Sequence, residues 1–221
     1  MLFRGVAAGV EHEKILNSLT INTVIDVGAN RGQFALVASC CFPFAKIISF
    51  EPLKSSYLIF KKIFRNNANI NIYNIAVGDR EAEIPIHISN HDDSSSLLPI
   101  GKLQTLLFPG TNEKKTEIIK MQKLYNLLNK AELQKQVLLK IDVQGYELKV
   151  LEGCDDLLEL IKYVYIECSF LELYDKQALA HEVISFLEKR GFRLAGVYNV
   201  FYNFNGISIQ GDFLFARETT K

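Results

Sequence analysis

The sequence lacks the features that mark several large classes of protein. No apolar run approaches the roughly 18 residues that a membrane span needs, and residues 1–10 lack the apolar core of a signal peptide. No segment repeats, and none is of low complexity. The 25 basic and 25 acidic side chains leave no excess charge of one sign. We therefore expect no membrane partner and no nucleic-acid partner recognised through overall charge.

Cysteine is scarce and follows no binding pattern. The four cysteines are Cys40, Cys41, Cys154 and Cys168, and no two have Cys-x-x-Cys spacing. Because a free cysteine behaves as a small hydrophobic residue, we predict buried thiols without a redox or metal role. Reduced cysteines are typical of a cytoplasmic protein. No histidine, cysteine and carboxylate side chains have convincing ligand spacing, so we also expect no metal site.

Strand-like and helix-like segments alternate along the chain. The strand-like runs, short and mostly apolar, are 24–27, 47–50, 70–77, 137–143 and 163–167. Such runs fit strands buried on both faces of a parallel sheet. Helical spacing occurs between them, for example at Leu53, Tyr57, Phe60 and Phe64. The alternation predicts an α/β, Rossmann-like fold, in which helices flank a mostly parallel sheet.

Two parts of the chain depart from this alternation. Segments 192–202 and 207–216 are strand-like and are joined by an Asn/Gly turn, which predicts an antiparallel hairpin at the C-terminal edge of the sheet. Segment 81–136 is charged and too short to carry its own core. We therefore predict one domain over residues 1–221, with an insertion at about 81–136.

The strongest motif is Asp26-Val27-Gly28-Ala29-Asn30-Arg31-Gly32, which follows a strand and precedes a helical segment. Glycine lets the backbone turn sharply and approach a ligand, and a helix N-terminus suits an anionic group. A dinucleotide fingerprint would place glycine at positions 30 and 33, where this chain has Asn30 and Gln33. The motif therefore favours the amino-acid end of S-adenosylmethionine, held near Asp26, Gly28, Asn30 and Gly32. The alternative is a plain strand-to-helix turn.

Two further strand ends carry residues suited to the rest of such a cofactor. Glu51 follows Gly28 by 23 residues and is placed to accept hydrogen bonds from ribose hydroxyls. Ala76 and Val77 are small enough to leave room for an adenine face, and Asp79 could accept from an exocyclic amine. A helix-end position for Glu51 and a simple turn at Asp79 are the alternatives.

The fourth motif, Leu139 to Glu147, places Asp142 at the tip of a buried strand. Asp142 is expected to face the reacting end of the ligand, to cap a helix, or both. Together the four motifs resemble the FkbM-type methyltransferases, and the resemblance includes Ser94-Ser95-Ser96-Leu97, the Glu11-His12 segment before the first strand and the segment 211–215. The resemblance extends from about residue 4 to residue 215. In this motif the family often has Glu at the position of Gln144, so an acidic role there is not expected here.

The resemblance implies a class I methyltransferase fold that binds S-adenosylmethionine at the strand ends. It also implies O-methylation of a hydroxyl on a sugar, glycan or secondary metabolite. A general base would assist such a reaction, and the candidates are Asp142, Glu167, His91 and His87. We expect Ser94, Ser95 and Ser96 to contact the acceptor, because binding loops commonly project from a rigid sheet.

Two other functions compete with methyl transfer. An NAD-dependent oxidoreductase would keep the role of Glu51 but needs the glycines missing at positions 30 and 33. A non-catalytic cofactor-binding domain would keep the first three motifs but lack an acceptor pocket. Neither the acceptor nor the oligomeric state can be inferred from the sequence.

Overall fold

The computed structural model describes residues 2–3, 6–7 and 9–218. The N-terminal start of the family resemblance, residue 4, and both ends of the predicted domain, residue 1 and residues 219–221, lie outside the described residues. The strands in chain order are β1 (Leu2–Phe3), β2 (Val6–Ala7), β3 (Thr23–Val27), β4 (Lys46–Phe50), β5 (Ile70–Tyr73), β6 (Ala76–Val77), β7 (Ala82–Ser89), β8 (Glu113–Gln122), β9 (Val137–Ile141), β10 (Ile161–Ser169), β11 (Phe192–Tyr202) and β12 (Ser208–Arg217). The helices are α1 (Glu13–Leu16), α2 (Gln33–Cys41), α3 (Lys54–Phe64), α4 (Lys102–Leu107), α5 (Leu124–Leu127), α6 (Glu147–Glu152) and α7 (Ala180–Glu188).

The main sheet of the described chain has seven strands in the order β5-β4-β3-β9-β10-β12-β11. Neighbouring strands from β5 to β10 pair in parallel, whereas β12 runs antiparallel between β10 and β11. The predicted mostly parallel sheet with an antiparallel C-terminal hairpin is confirmed. Every residue of the central strands β3 and β9 is buried, as expected for strands covered on both faces.

Helices cover both faces of the main sheet. On one face, Phe34 and Leu36 of α2 pack with Phe60 of α3 in a core cluster that includes Val24 and Leu138. On the other face, residues of α6 and α7 join a cluster with alternate residues of the same strands. Two faces arise because successive side chains of a strand point to opposite sides of the sheet.

The run 70–77 was predicted to form a single strand, and the structure divides it. Strand β5 ends at Tyr73, and β6 belongs to a separate three-stranded sheet of order β6-β8-β7. Between them, the Asn74 Nδ2 group donates to the carbonyls of Glu51 and Pro52, at 2.9 and 2.8 Å. Both carbonyls lie beyond the last residue of β4 that pairs with β5. The side chain of Asn74 thus supplies the hydrogen bonds that the backbone of β5 no longer provides.

The prediction of buried thiols holds for two of the four cysteines. Cys154 and Cys168 are buried, whereas Cys41 is half-buried and Cys40 is exposed. The buried residues of α2 run from Phe34 to Ala38. Its last turn therefore extends beyond the core, which an apolar stretch in the sequence does not reveal.

Candidate active site

A cavity opens at the carboxyl ends of β3, β4 and β9. Strands β4 and β5 continue the sheet to one side of β3, and β9 and β10 continue it to the other. The order in which strands are added to the sheet therefore changes side between β3 and β9, although the two strands are parallel. In open α/β sheets, ligands bind in the crevice that such a change leaves outside the strand ends.

Gly28 shapes the floor of this cavity. Its φ angle is +80°, and an added Cβ would lie 1.8 Å from the carbonyl oxygen of Asp142. Only glycine combines this left-handed conformation with so close an approach to another strand end. The glycine thus brings the backbones after β3 and β9 together beneath the space that a ligand would occupy.

A buried ion pair lies directly below the glycine turn. Asp26 and Lys140 are cross-strand partners on β3 and β9, and the Lys140 Nζ lies 3.3 Å from Asp26 Oδ1 and 3.6 Å from Asp142 Oδ2. The same ammonium donates to the Gly28 carbonyl at 3.0 Å. Burial raises the pKa of Asp26, although Lys140 opposes the rise. Burial alone would lower the pKa of Lys140, but the carboxylates of Asp26 and Asp142 reverse the shift. The pair holds the turn in place rather than offering a free acid or base.

Glu51 lines the cavity just after β4. Its two carboxylate oxygens accept one hydrogen bond each, from the backbone N–H of Asn30 at 2.9 Å and of Leu53 at 2.7 Å. Burial raises the pKa of Glu51 to about 7. A carboxylate offers about four acceptor positions, so two remain for a ligand that brings hydroxyl donors.

A network of polar side chains forms the opposite end of the site. The Gln144 amide donates to Asp142 Oδ1 at 2.7 Å and to Glu167 Oε2 at 3.0 Å, and its oxygen accepts from the Tyr174 hydroxyl at 2.8 Å. Burial, followed by the carboxylates of Asp142 and other neighbours, raises the pKa of Glu167 well above its usual range. The amide of Gln144 therefore separates two carboxylates that an acidic residue at this position would bring into repulsion.

The buried carboxylate of Glu147 folds the loop that carries Asp142 and Gln144. Its Oε1 accepts from the backbone N–H of Val143 at 3.0 Å and of Gly145 at 3.1 Å. Burial raises the pKa of Glu147 from 4.5 to about 7. Between these pH values the folded protein binds more protons at this group than the unfolded chain does, so its contribution to stability falls as the pH rises.

We expect Glu147→Gln to remove this pH dependence, because the amide oxygen can still accept both backbone hydrogen bonds. The difference in free energy of unfolding, variant minus wild type, should rise by up to about 3 kcal/mol between pH 4 and pH 8. Urea denaturation at both pH values measures the difference, and Glu188→Gln on the exposed end of α7 serves as control. An equal effect of Glu147→Gln at both pH values would contradict the assignment.

The segment 81–136 covers one side of the cavity. Asp92 lines it and accepts from the Arg31 guanidinium at 2.6 and 3.0 Å, which joins this segment to the glycine turn. Ser95 and Ser96 also line the cavity. The Ser96 hydroxyl is buried, donates to the Gln144 carbonyl at 2.6 Å and accepts from the Leu98 N–H at 2.9 Å. Ser96 therefore holds the wall in place and has little capacity left for a ligand.

The structure brings together most of the site residues predicted from the sequence. Those that line the cavity are Gly28, Asn30, Glu51, Ala76, Val77, Ser95, Ser96 and Asp142. Asp26 lies buried beneath them, and Glu167 reaches the cavity only through Gln144.

The remaining predicted residues lie elsewhere. An added Cβ on Gly32 would lie 2.7 Å from the Phe64 ring, so this glycine serves helix packing. Asp79 lies 2.9 Å from Arg80 and 3.5 Å from Lys149, outside the cavity. His91 is exposed, and its ring lies against Gly110. The Ser94 carbonyl accepts from the Tyr174 hydroxyl at 3.1 Å, and the residue does not line the cavity.

Sequence reasoning assigned no role in the site to Lys140, His12 or Asp212, although all three lie in segments of the family resemblance. Lys140 is an isolated lysine within an apolar strand, which is a usable signal of a buried charge with a partner. His12 and Asp212 lie 3.4 Å apart, although 200 positions separate them in the sequence. No local pattern could have paired them.

The chemistry of the cavity fits S-adenosylmethionine. The Glu51 carboxylate retains acceptor positions for ribose hydroxyls, and the buried apolar side chains of Ala76 and Val77 offer a surface for an aromatic base. In the described residues, Asn30 Oδ1 is buried without a hydrogen-bond partner, which a ligand donor would satisfy.

The described residues contain no group of three or more His, Cys, Asp or Glu able to hold a metal ion. Within the same part of the chain, no helix is long and apolar enough to cross a membrane.

Comparisons with solved structures agree with this fold. Precorrin-6y C5,15-methyltransferase from Geobacter metallireducens superposes with a TM-score of 0.52 at 11% identity, over 99% of this chain and 94% of that one. An rRNA methylase from Streptococcus thermophilus gives a TM-score of 0.50 at 9% identity, over 94% of each chain. At such identities the similarity shows the class I methyltransferase fold alone.

Sequence comparisons are more specific. Methyltransferase 1 of Beauveria bassiana is 26% identical over 191 residues, covering 78% of this chain and 72% of that protein. The 2-O-methyltransferase NoeI of Sinorhizobium fredii is 25% identical over 175 residues, covering 74% and 70%. The family model of the methyltransferase FkbM domain matches residues 26–194, well over half of the chain. The protein therefore belongs to the FkbM family of S-adenosylmethionine-dependent methyltransferases.

Proposed function

We propose that the protein transfers the methyl group of S-adenosylmethionine to a hydroxyl of a sugar, a glycan or a secondary metabolite. One observation carries the proposal: a single cavity joins Glu51 and the apolar residues after β4 and β5 to the polar residues after β9. The first end suits a nucleoside, and the second suits a polar acceptor. That NoeI is named a 2-O-methyltransferase supports a hydroxyl acceptor.

The cofactor supplies a methyl group bound to a positively charged sulfur, which is a strong electrophile. The protein gains most by aligning the acceptor with that methyl group. In our proposal Glu51 binds the ribose, while Ala76 and Val77 contact the adenine. Gly28, Asn30 and the N-terminus of α2 hold the amino-acid end. Asp142 orients this end and the acceptor, with Gln144 and Lys140 fixing its carboxylate.

Segment 81–136 borders the acceptor site in this proposal, as part of a single domain. Its Asp93 and Ser95 line the cavity beside Gln144, and they offer oxygen atoms to a polyhydroxylated acceptor. The balanced charge favours such an acceptor over nucleic acid. We further propose that the enzyme works in the cytoplasm without a metal ion, so that chelators leave its activity unchanged.

Calorimetry tests the cofactor assignment. S-adenosylhomocysteine should bind with micromolar-range affinity, and NAD should bind far more weakly. Glu51→Gln should weaken S-adenosylhomocysteine binding about 10- to 100-fold, because an amide replaces one acceptor oxygen with a donor and leaves buried partners unpaired. The exposed Glu188→Gln should leave the affinity unchanged. Equal or tighter binding of NAD would contradict the proposal and favour an oxidoreductase.

The acceptor class is tested separately by mass spectrometry. The enzyme and S-adenosylmethionine are incubated with three sets of probes: methyl glycosides, short RNA oligomers and peptides. We expect the mass gain of one methyl group only among the glycosides. Periodate cleaves neighbouring free hydroxyls, so protection from cleavage should show that the methyl group is on a ring hydroxyl. Methylation confined to RNA or peptides would overturn the acceptor proposal while leaving the cofactor assignment intact.

A further inference from the structure

His12 is the one histidine that lines the cavity in the described part of the chain. Its side chain is 16% exposed, and its ring packs edge-on against Phe34 at the start of α2, with ring centroids 5.4 Å apart. The histidines considered from the sequence lie elsewhere. The His87 Nδ1 lies 2.9 Å from Glu113 Oε2 on the β7–β8 pair, and His91 lies outside the cavity.

The hydrogen bonds around His12 determine which ring nitrogen carries the proton. The Tyr165 hydroxyl donates to Asp212 Oδ2 at 3.1 Å, so its hydrogen is already committed. The Tyr165 oxygen lies 3.0 Å from His12 Nδ1, and Asp212 Oδ2 lies 3.4 Å from the same nitrogen. Asn199 Nδ2 lies 3.3 Å from this nitrogen, but its shortest contact is the hydrogen bond that it donates to Asp212 Oδ2 at 2.8 Å. We therefore assign Nδ1 as the donor to the Tyr165 oxygen. The neutral ring therefore leaves the lone pair of Nε2 free.

Both nitrogen atoms of His12 have a carboxylate nearby. Asp212 lies on the Nδ1 side, and Glu11 Oε1 lies 3.4 Å from Nε2. The elements packed against the ring contribute Tyr165 from β10, Asn199 from β11, Asp212 from β12 and Phe34 from α2. The Lys140 ammonium lies 5.5 Å from the centroid of the Phe34 ring and has its own carboxylate partners. The ring of His12 therefore lies between the carboxylates of Asp212 and Glu11.

Two carboxylates at the end of the site after β9 and β10, Asp142 and Glu167, are already held by other side chains. Asp142 Oδ1 accepts from Gln144 at 2.7 Å, and its Oδ2 lies 3.6 Å from the Lys140 ammonium, so both oxygens already have partners. Both oxygens of Glu167 accept amide hydrogens, from Gln144 and Gln210, and Glu167 does not line the cavity. Among the histidines of the described residues, His12 alone lies on the cavity wall, and Tyr165 and Asp212 hold its ring from the Nδ1 side.

We propose that His12 is the general base of the methyl transfer, with Asp212 and Tyr165 as positioning residues; this inference rests on the proposed function. As the acceptor oxygen bonds to the methyl carbon, its proton passes to Nε2. The electron pair of the sulfur–methyl bond stays on sulfur, so S-adenosylhomocysteine leaves as a neutral thioether. The imidazolium then releases its proton to water, and the neutral ring is restored with its proton on Nδ1.

The tautomer can be tested without any acceptor. Long-range ¹H–¹⁵N NMR spectra distinguish a ring protonated at Nδ1 from one protonated at Nε2, and His12→Gln identifies the His12 signals. At alkaline pH we expect the wild type to have the Nδ1–H form of His12. In Asp212→Asn we expect the Nε2–H form or a mixture of the two forms. An Nε2–H ring in the wild type would overturn the inference, because the free lone pair would then face Asp212.

Kinetics test the base itself, with the methyl glycoside that the wild type methylates as acceptor. His12→Gln should lower kcat about 10²- to 10³-fold and remove the fall in rate at acidic pH. It should leave the affinity for S-adenosylhomocysteine within about twofold. Asp212→Asn should lower kcat about tenfold or more at unchanged cofactor affinity, and Asp212→Glu should restore part of the rate. His181→Gln, on the exposed side of α7, is the matched control.

The outcomes separate failure of this inference from failure of the proposed function. If His12→Gln keeps kcat and loses cofactor affinity, His12 binds the cofactor and is not the base. If kcat and its pH profile match the wild type, His12 has no catalytic role. If the wild type fails to bind S-adenosylhomocysteine, the proposed function is wrong and the inference falls with it. If the wild type methylates only RNA or peptides, the acceptor proposal is wrong, and the same variants are compared with that acceptor.

Discussion

Gly28→Ala is expected to abolish cofactor binding and to lower the free energy of unfolding by about 3 kcal/mol or more. Two effects add. A left-handed φ costs a residue with a Cβ roughly 1–2 kcal/mol, and forcing extra volume into a packed site costs typically 1–3 kcal/mol. Here the Cβ would lie 1.8 Å from the Asp142 carbonyl oxygen. The strand ends must therefore separate, which removes the floor of the cavity.

Gly206→Ala is a matched control for this prediction. Gly206 has a similar φ of +77°, but no atom lies within 4 Å of the Cβ that alanine would add. It lies in the turn between β11 and β12, so it should report the conformational cost alone, about 1–2 kcal/mol. Urea denaturation and calorimetry with S-adenosylhomocysteine measure both variants. If Gly28→Ala behaves like Gly206→Ala and still binds, the close approach of the strand ends is not required.

Lys140→Met should destabilise the protein by about 3–5 kcal/mol, because it leaves the buried Asp26 carboxylate without its cation. It also removes the hydrogen bond to the Gly28 carbonyl. The loss should be smaller at pH 5 than at pH 8. Asp26 already has a raised pKa in the folded protein, and without Lys140 it rises further. Stability then declines as the pH increases through the folded-state value.

A second variant separates the charge effect from the change of shape. Asp26→Asn/Lys140→Met removes both charges and should recover part of the stability lost in Lys140→Met, since no buried charge remains uncompensated. Lys189→Met, at the exposed C-terminal end of α7, should change stability by no more than about 0.5 kcal/mol. Urea denaturation at both pH values measures the series. A double variant less stable than Lys140→Met at pH 8 would contradict the assignment.

The contacts of the Gln144 side chain explain why this chain has an amide at a position where the family resemblance implies an acid. The structure places that amide between Asp142 and Glu167, where it donates to both. A third carboxylate would need a proton or a cation to remain there. In this chain the amide provides the two donors that the neighbouring acids require.

The sequence by itself determined the fold class, the C-terminal hairpin and several residues that line the cavity at the strand ends. It could do so because these features depend on local patterns: apolar runs for buried strands, a glycine after the first, and Glu51 after the second. In a parallel α/β sheet, residues that follow successive strands share one edge. The motif order therefore placed Gly28, Glu51 and Asp142 together before any contact was known.

Only the tertiary structure decided which polar side chains meet. Strand register pairs Asp26 with Lys140, and His12 reaches Tyr165 across 153 positions in the sequence. The tertiary structure also shows that Gly32 lies against the Phe64 ring of α3 and that the Ser96 hydroxyl holds the cavity wall by donating to the Gln144 carbonyl. The physical reason is that a side chain's role depends on its partners. Long-range pairing, the insertion of β12 between β10 and β11, and the folding of segment 81–136 over the cavity determine those partners, and no local pattern encodes them.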